Sequence, residues 1–270
     1  MHPVDELLDF LAQMPRVAVL TGAGVSTASG IPGYRDREAQ WTRRQPVTHQ
    51  EFVADPAVRR RYWARSMRGW PTMRDARPNA AHLALARLAA AGRVTSLITQ
   101  NVDGLHERAG HAQVIPLHGR LAEVVCLGCG ARSAREALQR ALEDANPQFA
   151  AAAAGVAPDG DADLEADFDA YHVPSCTLCG GILKPDVVFY GDAVPAGRAQ
   201  AALEAVDDVD ALLVVGSSLM VRSAYRLCER AQGRGTPIVA VNHGRTRADA
   251  MFARKLDADC VAVLAAWAAG

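Results

Sequence analysis

The sequence predicts an α/β fold in which a doubly wound parallel sheet carries a smaller inserted module. Short apolar runs typical of buried strands alternate along the chain with segments of helical periodicity. Five of these runs end in small or polar residues, which is where open α/β sheets bind ligands. The length of 270 residues suffices for one large domain with a smaller insert.

The composition excludes several classes of protein. Half of the residues are hydrophobic and the net charge is −1, which disfavours nucleic-acid binding through bulk electrostatics. No run of 18 apolar residues is present, so no membrane span is expected. The N-terminal segment is acidic and amphipathic, unlike a signal or transit peptide, and we expect a cytoplasmic monomer. Six cysteines in such a protein indicate metal binding or chemistry before disulfides.

The coarse element pattern supports the fold class. Helices are predicted at 4–14, 79–92, 134–145, 195–206 and 223–232, and strands at 17–20, 94–98, 114–117, 211–215, 238–241 and 259–264. Residues 37–78 are predicted as short helices and loops, with Asp55 capping a helix that begins at Pro56. The segment Lys184–Asp192 is expected to return to the sheet. The Ala-, Gly- and Asp-rich stretch 151–167 is predicted to be a surface insertion.

The stretch Val17–Asp36 joins a predicted strand to a Gly-rich turn and a helix start. Gly22 and Gly24 let the backbone turn sharply and approach a ligand closely. Ser26 and Thr27 are expected to cap a helix whose free N–H groups favour an anion such as a pyrophosphate. Because Thr27 stands at the third glycine position of the dinucleotide pattern, an ordinary βα turn stays open as the alternative.

The second half of that stretch, GIPGYRD, is absent from standard dinucleotide sites. Pro32 and Gly33 prevent a long helix and place Tyr34, Arg35 and Asp36 on a loop beside the expected phosphates. An aromatic ring, a cation and a carboxylate on one loop can fold over a bound cofactor.

Polar residues follow the later strands. The strand at 94–98 runs into TQNVDGLH, and the strand at 114–117 ends at His118. Two further strands end in GSS and NHG. Amides and a carboxylate at these strand ends predict ligand contacts. For His118 the residues alone leave a structural role open beside a catalytic one.

Two C-x-x-C pairs predict a metal site. Cys126 and Cys129 form the first pair, and Cys176 and Cys179 the second, each followed by glycine. Four thiolates arrange tetrahedrally around Zn²⁺ and leave no open position, so the zinc is expected to be structural. A redox C-x-x-C is the alternative.

The helix that begins at Pro56 carries a Y-x-x-R pair. Tyr62 and Arg65 are three residues apart and share one helical face. The other arginines of this helix are predicted to form a solvated basic face. For Tyr62, core packing is the alternative to ligand binding, and for Arg65 a place on the surface.

Together these motifs resemble the sirtuin family, the NAD-dependent protein deacylases. GAGVSTASGIPGYRD, TQNVDGLH, LKPDVVFYGD, VVGSSL and VNHG follow the family order, and the match covers residues 5–264. RYWARSMRGWP and the long insertion in the zinc module resemble the class II branch. The resemblance implies a Rossmann-like NAD-binding domain formed by 1–36, 79–122 and 187–270, a helical module at 37–78 and a zinc-ribbon module at 123–186.

The resemblance also implies roles for individual residues. The implied NAD contacts are Gly22, Ala23, Gly24, Thr27, Ile31, Pro32, Tyr34, Arg35, Asp36, Gln100, Asn101, Val102, Asp103, Gly216, Ser217, Ser218, Asn242, His243, Gly244 and Cys260. His118 is the implied general base, with Asn101 and Asp103 as further catalytic residues. Val188, Phe189 and Tyr190 are expected to pair with the substrate peptide as an added strand. In family members that remove acidic acyl groups a Y-x-x-R pair binds the acyl carboxylate, a role that Tyr62 and Arg65 would share.

The expected activity is NAD-dependent deacylation of acyl-lysine proteins or peptides, which yields nicotinamide, free lysine and O-acyl-ADP-ribose. One structural Zn²⁺ per chain is expected, with no nucleic-acid or membrane partner. Protein mono-ADP-ribosyl transfer is one alternative, and a non-catalytic NAD-sensing module is another. The intact Asn101, Asp103 and His118 disfavour the non-catalytic module.

Overall fold

The computed structural model describes residues 3–42, 45–149, 160 and 167–269. Within these ranges the strands, numbered in chain order, are β1 (Val17–Thr21), β2 (Val94–Thr99), β3 (Val114–Pro116), β4 (Gly119–Cys126), β5 (Arg132–Ala134), β6 (Leu183–Val187), β7 (Ala211–Val215), β8 (Ile238–Val241) and β9 (Phe252–Leu256). The α-helices are α1 (Pro3–Ala12), α2 (His49–Ala54), α3 (Pro56–Asp75), α4 (Ala80–Ala90), α5 (Leu105–Arg108), α6 (Arg135–Ala145), α7 (Ala196–Asp207), α8 (Arg222–Gly233) and α9 (Cys260–Trp267). None of the described helices is long and apolar enough to cross a membrane.

The main sheet has the strand order β3-β2-β1-β7-β8-β9, and every neighbouring pair is parallel. The chain builds outward from β1 to β3, then resumes at β7 on the other side of β1. This reversal beside β1 is a topological switch point, where open α/β sheets bind ligands beyond the carboxyl ends of the strands. The predicted doubly wound parallel sheet is confirmed.

Helices cover both faces of this sheet. Val17 and Val19 of β1 pack in one core with α1, α4 and α9, while Ala18 and Leu20 pack in a second core with α7 and α8. Side chains alternate between the two faces of a strand, so a strand buried on both faces is apolar throughout. That is why the sequence predicts β1 and β7 well.

The predicted strand at 259–264 is wrong. These residues belong to α9, and Asp259 Oδ1 accepts a hydrogen bond from Val261 N (2.9 Å) as its N-cap. The last strand is β9, an edge strand whose middle residues, Arg254 among them, are exposed. An exposed edge strand lacks the apolar run on which the prediction depended.

The segment after the second cysteine pair does not return to the main sheet, contrary to the prediction. Its strand, β6, pairs antiparallel with β4 in a separate three-stranded sheet of order β5-β4-β6. The cysteine pairs provide the physical reason. Leu127 N, in the first pair, donates to Ile182 O (2.8 Å), just beyond the second pair. This contact holds the end of β4 beside the start of β6.

α3 is one 20-residue helix rather than the short helices predicted for this region. Its start is as predicted, because Asp55 Oδ1 accepts from Ala57 N (2.7 Å) and Pro56 occupies the first helical position. The helix continues through Pro71. Its buried side chains pack into two apolar clusters, which offsets the backbone hydrogen bond that proline cannot make.

The predicted module limits stay predictions. The limit between residues 122 and 123 falls inside β4. The predicted surface insertion at 151–167 lies outside the described residues, apart from Gly160 and Asp167.

Candidate active site

A cavity of about 900 Å³ opens at the switch point, where β1, β2, β7 and β8 end. This size is typical of cofactor sites. The predicted site residues that line it are Gly22, Ala23, Gly24, Thr27, Tyr34, Arg35, Asp36, Gln100, Asn101, Val102, His118, Val188, Phe189, Tyr190, Gly216, Ser217, Ser218, Asn242, His243 and Cys260. Those outside its wall are Ile31, Pro32, Tyr62, Arg65, Asp103 and Gly244.

The Gly-rich turn after β1 packs backbone to backbone against the turn after β7. A Cβ atom on Gly22 would lie 2.8 Å from Gly216 O, and one on Gly24 would lie 2.8 Å from Gly216 Cα. Gly24 N donates to Gly216 O (2.8 Å). Only glycine permits so close an approach, which brings both turns into the cavity wall.

The helix that follows this turn differs from the prediction. It is a 3₁₀ helix, Ala23–Ser29, and Gly22 rather than Ser26 or Thr27 precedes it. Glycine is accepted at this position without a side-chain hydrogen bond. Thr27 Oγ1 instead donates to Gly24 O (3.0 Å). The early start places Ala23 and Gly24 in the cavity wall, where Gly24 N and Val25 N donate to Gly216 O and Gly22 O within the chain.

Ser26 joins the two predicted catalytic residues that follow β2. Its Oγ donates to Asp103 Oδ2 (2.8 Å) and accepts from Asn101 Nδ2 (3.0 Å). Asn101 Nδ2 also donates to Gly22 O (3.1 Å), and Asp103 Oδ1 accepts from Leu105 N (2.8 Å). Burial raises the pKa of Asp103, while these hydrogen bonds oppose the rise. Asp103 therefore lies behind the wall and orients the amide of Asn101 through Ser26.

His118 is held by both ring nitrogens. Nδ1 lies 3.0 Å from Gln100 O, and Nε2 lies 2.7 Å from Ser223 Oγ. A carbonyl oxygen can only accept, so Nδ1 carries the proton and Nε2 accepts from the Ser223 hydroxyl. Burial lowers the pKa of His118 to about 4, and the Gln100 carbonyl opposes this shift. The imidazole is thus neutral at pH 7, as a general base requires.

The predicted peptide-binding segment is attached to this histidine. Val188 N donates to His118 O (2.9 Å), and Tyr190 O accepts from His49 N (2.9 Å). These two backbone groups are used within the chain, so a substrate strand would have to pair through other groups of the segment. The added-strand role stays a prediction.

In the Y-x-x-R pair, Tyr62 is separated from the cavity by the ring of Phe189. Tyr62 is buried, and its ring packs against Phe189 in the cavity wall, with centroids 5.2 Å apart. Phe52 and Trp63 pack on the same ring (both 5.3 Å). Arg65 is half-buried on the same helix. Tyr62 therefore packs in the apolar core. A ligand in the cavity would contact Tyr62 only after the side chain of Phe189 moves aside.

The residues after β8 complete another part of the wall. Asn242 Nδ2 donates to His243 O (2.8 Å), and His243 Nδ1 lies 2.8 Å from Asp257 Oδ1. The thiol of Cys260 faces Gly24 O (3.7 Å). Burial raises the pKa of Cys260 to about 11, so the thiol stays protonated and acts as a small packing group.

The four cysteines of the C-x-x-C pairs meet in one cluster. All four Sγ atoms lie within 4.8 Å of one another, with Cys126 and Cys179 at 3.5 Å and Cys129 and Cys176 at 3.8 Å. Zn–S bonds of about 2.3 Å in a tetrahedron separate the sulfurs by about 3.8 Å. The cluster therefore fits a structural zinc ion, as predicted.

The sequence reasoning missed part of the wall. Met220, Val221, Arg222, Ser223 and Arg226 also line the cavity. They lie at the start of α8 and just before it, beyond the GSS turn. The signal was available, because the first turn of a helix that follows a switch-point strand faces the ligand crevice.

The fold and the site define an α/β protein of the nucleotide-binding class with its own metal module. A model of the Sir2 family, the sirtuins, matches residues 22–223. An NAD-dependent protein deacetylase of Bordetella bronchiseptica is 56% identical over 98% of this chain and 97% of its own length. NAD-dependent protein deacetylase 2 of Bradyrhizobium diazoefficiens is 55% identical over 97% and 96%. A solved structure described as Sir2 bound to acetylated peptide is 29% identical with a TM-score of 0.77, covering 97% of this chain and 95% of that one. The chain belongs to the Sir2 family, so the predicted resemblance to the sirtuins is confirmed, and the class II branch stays a prediction.

Proposed function

We propose that this protein is an NAD-dependent protein-lysine deacylase that releases nicotinamide, free lysine and O-acyl-ADP-ribose. The observation that carries the proposal is the neutral His118, whose Nε2 lone pair lies in the wall of a switch-point cavity beside a Gly-rich turn. Relatives more than half identical over nearly the whole chain are named NAD-dependent protein deacetylases, which supports the same activity.

The residues of the cavity fit NAD. The close backbone approach at Gly22 and Gly216 keeps side chains out of this part of the wall, so a pyrophosphate can lie against the Gly-rich turn. Asn242 follows a strand and offers an amide to ribose hydroxyls, where dehydrogenases use a carboxylate. Bound NAD supplies a ribose carbon that becomes electrophilic as the cationic nicotinamide leaves, so hydride transfer is not required.

The chain contributes mainly positioning and one proton transfer. The acyl-lysine amide oxygen is a weak nucleophile, so holding it close to the ribose supplies most of the acceleration. Asn101 is fixed for this by Ser26. The loop over the nicotinamide is held by Arg35, which donates to Ala39 O (2.8 Å) and stacks on Trp41 (4.0 Å). With NAD bound, His118 Nε2 would take the proton of a ribose hydroxyl, whose oxygen would attack the acyl carbon, and a water molecule would complete the release of the lysine amine.

The proposed substrate is an acyl-lysine in a protein or peptide. One of the related structures is described as Sir2 bound to acetylated peptide, which supports an acyl-lysine peptide as the substrate. The proposed place of this peptide is along Val188–Tyr190, which line the cavity. Tyr62 and Arg65 would favour acyl groups bulkier than acetyl, including those that end in a carboxylate. Arginine suits this task because its planar guanidinium pairs two N–H groups with a carboxylate.

The setting of the reaction is part of the proposal. We infer a cytoplasmic monomer with no nucleic-acid or membrane partner. A net charge of −1 provides no basic field for nucleic acid. Four free thiols in one cluster need a reducing compartment to remain available for zinc.

Product analysis tests the proposal. The protein is incubated with NAD and an acetyl-lysine peptide, and the products are measured by mass spectrometry. Nicotinamide, free peptide and O-acetyl-ADP-ribose are expected in equal amounts. A protein that gains ADP-ribose would instead indicate mono-ADP-ribosyl transfer. NAD that binds but is not consumed with any acyl peptide would indicate a non-catalytic module.

A further inference from the structure

Ser223 makes the shortest contact of His118 in the site. Its Oγ lies 2.7 Å from His118 Nε2, the nitrogen with the lone pair. Ser223 is the second residue of α8 and lines the cavity. It belongs to none of the predicted motifs.

The loop before α8 fixes the place of this serine. Leu219 is buried in the left-handed region at φ 56°, a conformation that non-glycine residues keep only when their surroundings impose it. Its N–H donates to Ser217 Oγ (3.2 Å). Arg247 ties down the same loop, with its N donating to Ser218 O (2.9 Å) and its Nη1 to Met220 O (3.3 Å). Leu219 is a strained residue that its neighbours hold in place at a ligand site, which indicates that the function of the site requires this conformation of the loop.

Charged neighbours do not explain the state of His118. Its pKa responds to burial and to the Gln100 carbonyl, and to no charged side chain of the described part of the chain. The charged residues that α8 and the segment after β6 contribute to the cavity wall are Arg222, Arg226 and Asp192, while Asp186 on β6 and Arg198 on α7 lie against Gly119. Asp186 is itself paired with Arg198. The Ser223 hydroxyl is thus the group that acts on Nε2.

We propose that Ser223 is a positioning residue for the general base, an inference that rests on the proposed function. Before NAD binds, the Ser223 hydroxyl donates to the His118 lone pair, while Gln100 O holds the Nδ1 proton. The ring is therefore kept in one tautomer and one orientation. A ribose hydroxyl then replaces the serine as donor to Nε2, and its proton passes to that nitrogen. The imidazole needs no rotation before the transfer.

Ser223→Ala is tested against Ser223→Thr, which keeps the hydroxyl. Release of nicotinamide precedes the proton transfer, so Ser223→Ala should lower deacylation more than it lowers nicotinamide–NAD exchange with an acyl peptide, and Ser223→Thr should keep the wild-type ratio of the two rates. The kcat for deacylation should fall about five- to tenfold relative to exchange in Ser223→Ala only, since the ring loses a hydrogen bond that holds it in the reactive orientation until the ribose hydroxyl arrives. The acid limb of kcat/KM should move up by about one pH unit, because a bond to the neutral imidazole is lost. Wild-type ratios of deacylation to exchange together with a wild-type pH profile in Ser223→Ala would overturn the proposal.

A second measurement needs no turnover. The ¹⁵N resonance of His118 Nε2 is recorded at pH 7 without NAD in the three proteins, with His118→Gln for assignment. In Ser223→Ala the ¹⁵N chemical shift of Nε2 should move toward the value of an unprotonated imidazole nitrogen that accepts no hydrogen bond. In Ser223→Thr the shift should stay near the wild-type value. An unmoved resonance refutes the contact even if the enzyme acts on none of the peptides. Failure of the proposed function, in contrast, would appear as absent nicotinamide release in the wild type.

Discussion

The surroundings of His118 decide which of its two ring nitrogens can act as a base. The Gln100 carbonyl can only accept, so it assigns the proton to Nδ1 and leaves the lone pair on Nε2. Burial then keeps the ring neutral well below pH 7.

His118→Ala is expected to lower deacylation by on the order of 10²–10⁴, because a general base is removed. The Kd for NAD, measured by calorimetry, should stay within a few-fold of wild type. His172→Ala is the control, since it removes an exposed histidine outside the cavity wall. Turnover above half of wild type in His118→Ala would refute the assignment.

Arg65→Met is expected to reduce kcat/KM for glutaryl-type peptides at least tenfold relative to acetyl peptides. The reason is the loss of a charge-assisted hydrogen bond worth about 1.5–3 kcal/mol. Long-chain acyl peptides, which carry no carboxylate, should behave like acetyl. Arg61→Met, at an exposed position of the same helix, is the matched control. An equal fall for all acyl groups would leave Arg65 with a structural role only.

Two elements, β4 and β6, depend on the cysteine cluster that joins their ends. Leu127 N donates to Ile182 O, which joins the first cysteine turn to the segment after the second, and Cys176 N donates to Gly181 O (2.9 Å), which closes the second turn. Without a metal, the contacts among these four thiols contribute little to the free energy of folding. A zinc ion converts their proximity into folding free energy.

Replacing Cys129 with serine should release the metal and lower the Tm. Wild-type protein purified without chelator should contain one zinc per chain by atomic emission. Cys228→Ala is the control, since Cys228 is fully buried outside the cluster. That variant should lose stability through packing but keep its zinc. Wild-type protein without zinc would contradict the metal assignment.

For the whole molecule, buried histidines make stability depend on pH. Burial lowers the pKa of His82 to about 4, as it does for His118, and lowers that of His106 well below its usual range. The rings of His82 and His106 lie 4.7 Å apart behind the cavity. His106 Nε2 contacts Thr21 Oγ1 (3.0 Å) at the end of β1. The histidines thus join α4, α5 and the main sheet in their neutral form.

The free energy of unfolding should fall as the pH falls from about 6.5 to about 4. The unfolded histidines bind protons below about 6.5, whereas the folded ones do not until about 4, so acid favours the unfolded state. For His82 alone the change amounts to about 3 kcal/mol. Urea unfolding of wild type and His82→Gln at several pH values measures it. The variant should show a shallower pH dependence, and identical slopes would contradict the prediction.

Local patterns in the sequence determined much of this protein. A strand buried on both faces must be apolar throughout, so β1 and β7 were readable. Gly22 and Gly24 marked the turn that must approach another backbone. The cysteine spacing marked the zinc site, and Asp55 with Pro56 marked the start of α3. In each case the chemistry depends on neighbours along the chain.

Only the tertiary structure decided the rest, because the partners are distant in sequence. β9 is an exposed edge strand, so its pairing with β8, and not its composition, makes it a strand. Asp103 lies behind the cavity wall because Ser26, 77 residues away in the sequence, donates a hydrogen bond to its carboxylate there. Ser223 meets His118 across 105 residues, and no local pattern records that a hydroxyl at the start of α8 would face a lone pair after β3. The sheet topology brings the segments that follow β3 and β7 to the same edge of the sheet, where both line the cavity.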